Sequence, residues 1–282
     1  MNKTLNLAKG LSDELRIDEI RQILHEMGKF DMAIAMIPEG TYLYRARSKV
    51  KNWSPSKLLE LTNIRNQGII KRIGRGRANL PEQSVFYSCT LPDFAPKYQE
   101  DCIKTALKES TKVLQSSIIQ EEYSYVTCWK IKKTFPIIAL VNYRHIKESK
   151  YSALYRKQFA KAYLDKHGKD NSTWYVNNLL ATFFAKVYDE SDPNRYKVTS
   201  EFSDWVIRNG KGGGISYPSV ASDGAAINLV IFDPFIENLE LQFIMKWRTY
   251  LSNDIFDTQL LNSRVSYRED FYDCFRSDKP CL

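Results

Sequence analysis

The sequence predicts an α+β fold, in which strands and helices mix in one body. Short runs alternate apolar and polar residues as half-buried strands do, and longer runs repeat apolar residues as amphipathic helices do. No internal repeat or low-complexity linker separates them. The composition agrees: 43% apolar and 26% charged residues over 282 positions belong to a chain that packs a sizeable core.

The elements follow in order. Ser12 precedes Leu15, Ile17, Ile20, Ile23, Leu24 and Met27, and Gly28 marks a helix stop, which predicts an amphipathic helix. From Thr41 the text YLYRARSKV alternates as a strand, so Arg45 and Arg47 share a face and repel unless an anion lies between them. Residues 69–80 (IIKRIGRGRANL) read as a basic, glycine-bearing loop before a short strand at 84–88. A helix is expected at 101–114, strands at 123–131 and 135–141, and helices at 153–165 and 173–187 that look inserted between sheet elements. The glycines 212–214 lead into ISYPSV and NLVIF, two short β-rich runs, and a further strand is expected at 239–245.

Forty-one basic residues against 33 acidic ones favour an anionic partner, but without the clustered basic footprint of a nucleic-acid binder, which is not expected here. Five cysteines without a CxxC pair point to free thiols in a reducing compartment. The first residues lack the apolar run of a signal peptide, and no later run is long enough to cross a bilayer, so the expectation is a cytoplasmic protein with no membrane partner. His25, His145 and His167 lack metal-ligand spacing, so no metal is expected. The glycines of GRGR do not follow a strand and open a helix as in a dinucleotide fold.

Several short motifs occur in a fixed succession: YRAR at 44–47, GRAN at 76–79, FYS at 86–88, ALKE at 106–109 and YPS at 217–219, with Asn228 beyond. Each is weak alone, but the order resembles the RES family, named for its arginine, glutamate and serine and similar to toxins of bacterial toxin–antitoxin pairs. The resemblance covers about residues 41–245. It implies an ADP-ribosyltransferase-like split β-sheet core with flanking and inserted helices. Residues 1–40 would then be an N-terminal helical extension, 41–245 the catalytic domain with a helical insertion at 149–192, and 246–282 a C-terminal extension.

The resemblance further implies an enzyme that degrades NAD, as substrate rather than cofactor, by hydrolysis or phosphorolysis of the nicotinamide–ribose bond. It also implies an antitoxin or other inhibitory protein as partner. Arg45 and Arg77 match the family's arginines, Tyr87 its aromatic, Glu109 its glutamate and Ser219 its serine. Guanidinium forks suit the pyrophosphate of NAD, and a carboxylate suits the positive charge that builds on the ribose. Glu109, Arg45 and Ser219 are therefore the catalytic candidates, and Arg77, Tyr87, Arg47 and Asn228 the substrate-binding ones.

Tyr87 either stacks on nicotinamide or anchors its strand, and Ser219 bonds the pyrophosphate, a ribose hydroxyl or the amide. The connection between Tyr87 and Glu109 is longer than the family pattern, which leaves Glu100 and Glu121 as alternative carboxylates. Cys89 is either a nucleophile or a small buried residue. Two other functions share these residues: an ADP-ribosyltransferase acting on a macromolecule, and a non-catalytic nucleotide or nucleic-acid module built on the basic run 71–77 with Trp53 and Tyr87.

Overall fold

The computed structural model describes residues 3–27, 32–49, 61, 67–91, 93–94, 100–114, 121–140, 157, 161, 171–189, 191–222, 226–252 and 255–265. Nine strands run through them: β1 (Ile34–Ile37), β2 (Tyr42–Lys49), β3 (Phe86–Thr90), β4 (Glu121–Ile131), β5 (Phe135–Ala139), β6 (Gly214–Pro218), β7 (Ile227–Ile231), β8 (Leu239–Ser252) and β9 (Ile255–Val265). They form one sheet in the order β1-β5-β6-β7-β3-β2-β4-β8-β9. Only β5 and β6 are parallel neighbours; the other pairs are antiparallel.

That parallel pair explains the inserted helices. Antiparallel strands turn back through a hairpin, whereas parallel neighbours need a long crossover, usually helical. The crossover from β5 to β6 carries α5 (Asn171–Ala185) and α6 (Lys197–Arg208). The insertion therefore extends beyond 192, and α6 is an addition to the expected helices. The helix expected at 153–165 lies outside the described residues, apart from Lys157 and Lys161.

At the N-terminus, α1 (Lys3–Lys9) precedes α2 (Ile17–Met27), the helix that the apolar spacing predicts. Ile20, Leu24 and Met27 are its buried face, spaced to line one side of a helix. They pack with Phe184 of α5, with Phe202 and Val206 of α6, and with Ile215 and Val230 of the sheet. The helices of the N-terminal extension and of the insertion thus form one layer over the β5–β6–β7 part of the sheet, but the extension is not purely helical, because its β1 joins the sheet beside β5.

The short helix α3 (Gln67–Ile70) opens the basic loop, and α4 (Glu100–Ser110) packs on the other half of the sheet. Its Cys102, Ile103, Ala106 and Leu107 meet Tyr44, Cys89, Val126 and Cys128. Registered partners on adjacent strands point to the same face. Tyr44 pairs with Cys89, Cys89 with Asn228, and Asn228 with Tyr217, so α4 and the larger helical layer lie on the same face with a gap between them. Leu43, Phe86, Leu229 and Ile231 alternate to the opposite face and close a second core with Trp129 and Ile137.

β8 runs on to Ser252 and β9 pairs along its length, so position 245 falls inside a strand rather than at a boundary. Among the described residues no helix is long and apolar enough to cross a membrane.

One charged group ties the helical layer to the basic loop. Glu201 of α6 is fully buried and accepts from Arg21 of α2 at 2.7 Å and from Arg75 of the loop at 3.2 Å. Removing one side of a buried ion pair leaves the other charge uncompensated. Glu201→Ala is expected to lower stability by about 3 kcal/mol, the low end of that range because Arg21 is half exposed. Urea unfolding followed by circular dichroism checks this value.

Candidate active site

β2 and β3 share a single registered pair, Tyr44 with Cys89. Beyond it, β2 continues along β4 while β3 continues along β7. A side chain enters where the strands part: Arg45 Nη1 donates to the Tyr87 carbonyl at 3.0 Å, a backbone acceptor that β2 does not engage. The guanidinium lies over the Phe86 ring at 5.0 Å. Its Nε is shut off from solvent with no hydrogen-bond partner among the described residues. Burial, with a smaller contribution from the charge of Arg47, pulls the Arg45 pKa down to about 9.

Above this opening lies a cavity of about 400 Å³ between α4 and the α5–α6 connection, a size typical of small-molecule sites, roughly 300–1,000 Å³. Arg45, Arg77, Tyr87, Glu109 and Asn228 all line it. Residues spread from 45 to 228 in the chain therefore meet at one place.

Glu109 sits in the last turn of α4 and is held through one oxygen. Its Oε1 accepts from Ser219 Oγ at 2.6 Å and from Asn228 Nδ2 at 2.8 Å. Its Oε2 has no hydrogen-bond partner among the described residues. The holders are fixed in turn. Ser219, just past β6, receives the Ser222 N–H at 3.3 Å, and Asn228 Oδ1 receives the Cys89 thiol at 3.2 Å. The result is a carboxylate whose position is set by neutral donors and which forms no ion pair among the described residues.

The GRAN loop brings Arg77 to the same cavity. Gly76 donates to the Asn79 carbonyl at 3.1 Å, while the Asn79 amide donates to the carbonyls of Gly74 and Leu80. Tyr87 closes the loop, donating to Asn79 Oδ1 at 2.9 Å and accepting from Ala78 N at 2.7 Å. Burial pushes the Tyr87 phenol well up, so it stays protonated as a donor. Arg77 donates to the Lys186 and Phe184 carbonyls and stacks over Tyr196 at 4.8 Å.

The other candidates fall in different places. Ser219 is fully buried and does not line the cavity; its hydroxyl is spent on Glu109 rather than offered to a ligand. Arg47 lies two residues past Arg45, half-buried and outside the lining. Glu100 pairs with Lys104 and Glu121 with Arg248, so neither alternative carboxylate reaches the cavity. Cys89 is buried, and burial first, then the charge of Glu109, raises its thiol well above the usual range, against a nucleophilic thiolate. The basic run 71–77 is not a continuous surface, since Arg75 turns to Glu201 and Arg77 to the aromatic wall; Trp53 lies outside the described residues.

Tyr188 and Tyr196 line the cavity too, and sequence pattern alone does not single them out, because nothing local marks their connection as a wall. Lys108, beside Glu109 in the ALKE motif, adds a third cation. A second cavity of about 640 Å³ is lined by Glu82, Asp233 and Glu237 with no Lys or Arg among its described lining residues, a poor setting for an anionic ligand.

No protein-family model, no curated protein and no solved structure matches the chain significantly.

Gly76 tests how tightly the arginine loop is built. A Cβ at this position would come within 2.2 Å of Asn79 Oδ1 and 3.0 Å of the Tyr87 hydroxyl, inside contact distance. Gly76→Ala is expected to part Asn79 from Tyr87 and to cost about 1–3 kcal/mol by overpacking. An unchanged urea midpoint would contradict this account of the loop.

Proposed function

We propose that the protein breaks the bond between nicotinamide and ribose in NAD and passes the ADP-ribosyl group to water or phosphate. The observation that carries this reading is the Glu109 carboxylate, fixed by Ser219 and Asn228 in a cavity that also takes in Arg45 and Arg77. The same residues carry the resemblance to the RES family, and the parting of β2 from β3 supports an ADP-ribosyltransferase-like split sheet.

The chemistry matches the residues. When the C–N bond breaks, both electrons go to the ring nitrogen, so nicotinamide leaves neutral and needs no proton from an acid. That is consistent with a cavity whose described lining has no histidine. Positive charge builds on the ribose, as in the oxocarbenium-like transition state of glycoside cleavage. Glu109, already oriented, stabilises that charge without reorganising. An oxygen of water or phosphate then bonds to the ribose carbon, and the surplus proton goes to solvent.

The arginines supply binding. A desolvated guanidinium gains much when an anion comes beside it, and Arg45 is such a group. The pyrophosphate of NAD offers that anion, and Arg77 grips it from the opposite loop. Tyr87 and Tyr196 give the cavity aromatic surface for a base. On this reading the protein is a cytoplasmic toxin or defence enzyme, kept in check by an inhibitory protein partner.

Incubation with NAD, with and without phosphate, should release nicotinamide, and dependence on phosphate identifies the acceptor. Glu109→Gln keeps the shape and the hydrogen bonds of one oxygen but not the charge, so release should fall about 100-fold or more while thermal unfolding changes little. Wild-type release in that variant, or no release by the native protein, overturns the reading. Arg45→Lys should raise the KM for NAD by roughly tenfold, because a lysine cannot form the paired bonds of a guanidinium fork.

A further inference from the structure

The described residues of the cavity's outer wall form no helix or strand. This wall is the connection between α5 and α6, from which Val187, Tyr188 and Tyr196 face the site. From the cavity side Arg77 holds it, through the Lys186 carbonyl and the ring of Tyr196. From the far side it is held by a residue 170 or more positions away in the chain.

That residue is Asp13, between α1 and α2, only 3% exposed. Its Oδ2 accepts from the Tyr188 hydroxyl at 2.5 Å and from Lys186 Nζ at 3.4 Å. Its Oδ1 accepts from the Val198 N–H at 3.0 Å, in the first turn of α6. Helix starts leave such N–H groups without partners, and a side chain at the N-cap normally serves them. Tyr196, the N-cap here, has φ of 66° and makes no side-chain cap bond. Asp13 supplies the missing acceptor, with its negative charge at the positive end of the helix. Neighbours add to the grip: Glu14 accepts from Asn194 at 2.9 Å, and Lys197 donates to the Leu15 carbonyl at 3.3 Å.

We infer that Asp13 is a positioning residue of the cavity: by fixing Tyr188 and the start of α6 it holds the wall against which the substrate lies, which makes the N-terminal extension part of the binding site. This rests on the cavity being the NAD site. Asp13 touches no ligand itself; it acts through Tyr188. Loss of the hold loosens the wall without disturbing the Ser219–Glu109–Asn228 group, so binding suffers before chemistry does.

Two variants test this. Asp13→Asn keeps the shape but loses the charge and one acceptor, so Tyr188 and Val198 can no longer both donate to it. Tyr188→Phe removes only the hydroxyl and leaves the Val198 bond intact, so it stays informative should the first variant fold poorly. In both, amide hydrogen exchange at residues 186–198 should quicken roughly tenfold, as for loss of one charge-assisted hydrogen bond. The KM for NAD should rise about tenfold with kcat within about twofold, since a displaced wall weakens binding. Joining the two changes should raise KM no further than Asp13→Asn alone, because both cut the same link. Faster exchange with an unchanged KM, or a fall in kcat alone, overturns the inference. If the native protein releases no nicotinamide, the proposed function fails by itself, and exchange then decides the role of Asp13: unchanged protection at 186–198 in both variants refutes it, and lost protection upholds it.

Discussion

The cavity exists because two central strands of the sheet meet at one residue pair and then follow different neighbours. A sheet that opens in this way exposes backbone acceptors that another strand would normally satisfy. Arg45 answers that demand with its side chain at the Tyr87 carbonyl, and so a cation is held where water is scarce. The two halves of the sheet then receive separate helical covers, α4 on one and the N-terminal and crossover helices on the other. The site lies between the covers, above the opening.

Three carboxylates show how the surroundings assign different work to the same group. Glu201 lies between Arg21 and Arg75, and its charge is neutralised in holding the helical layer to the loop. Asp13 faces a hydroxyl, a helix-start N–H and a half-exposed lysine, and joins segments of the chain far apart in sequence. Among the described residues, Glu109 is held by neutral donors alone. A neutral donor fixes geometry without cancelling charge, whereas a guanidinium does both. Among the three, Glu109 is the one that lines the cavity and forms no ion pair among the described residues.

Much of the secondary structure was legible in the sequence. The strand through YRAR shows in its alternation, α2 in the spacing of its buried residues, and ISYPSV and NLVIF as short β-rich runs between turn residues, which the structure buries on both faces. β1, β9 and α6 were not legible, for different reasons. β1 has four residues, too few to show a period, with Ile34 and Met36 exposed. β9 pairs with β8 alone, so most of its described side chains remain exposed and its pattern is mixed. The start of α6 lacks a capping residue in its own sequence, because the acceptor comes from Asp13.

The sequence by itself determined which residue types were at hand: arginines in a strand and in a glycine-bearing loop, a glutamate late in a helix, and a serine and an asparagine on either side of a β turn-back. Local spacing and side-chain chemistry decide these, and both can be read along the chain. Only the tertiary structure decided their division of labour. Ser219 became a support for Glu109, Arg47 fell outside the cavity, and an N-terminal aspartate came to hold the cavity wall, because strand register and helix packing bring together residues with no relation in sequence. Such contacts arise from the burial of a shared core, and no local pattern records them.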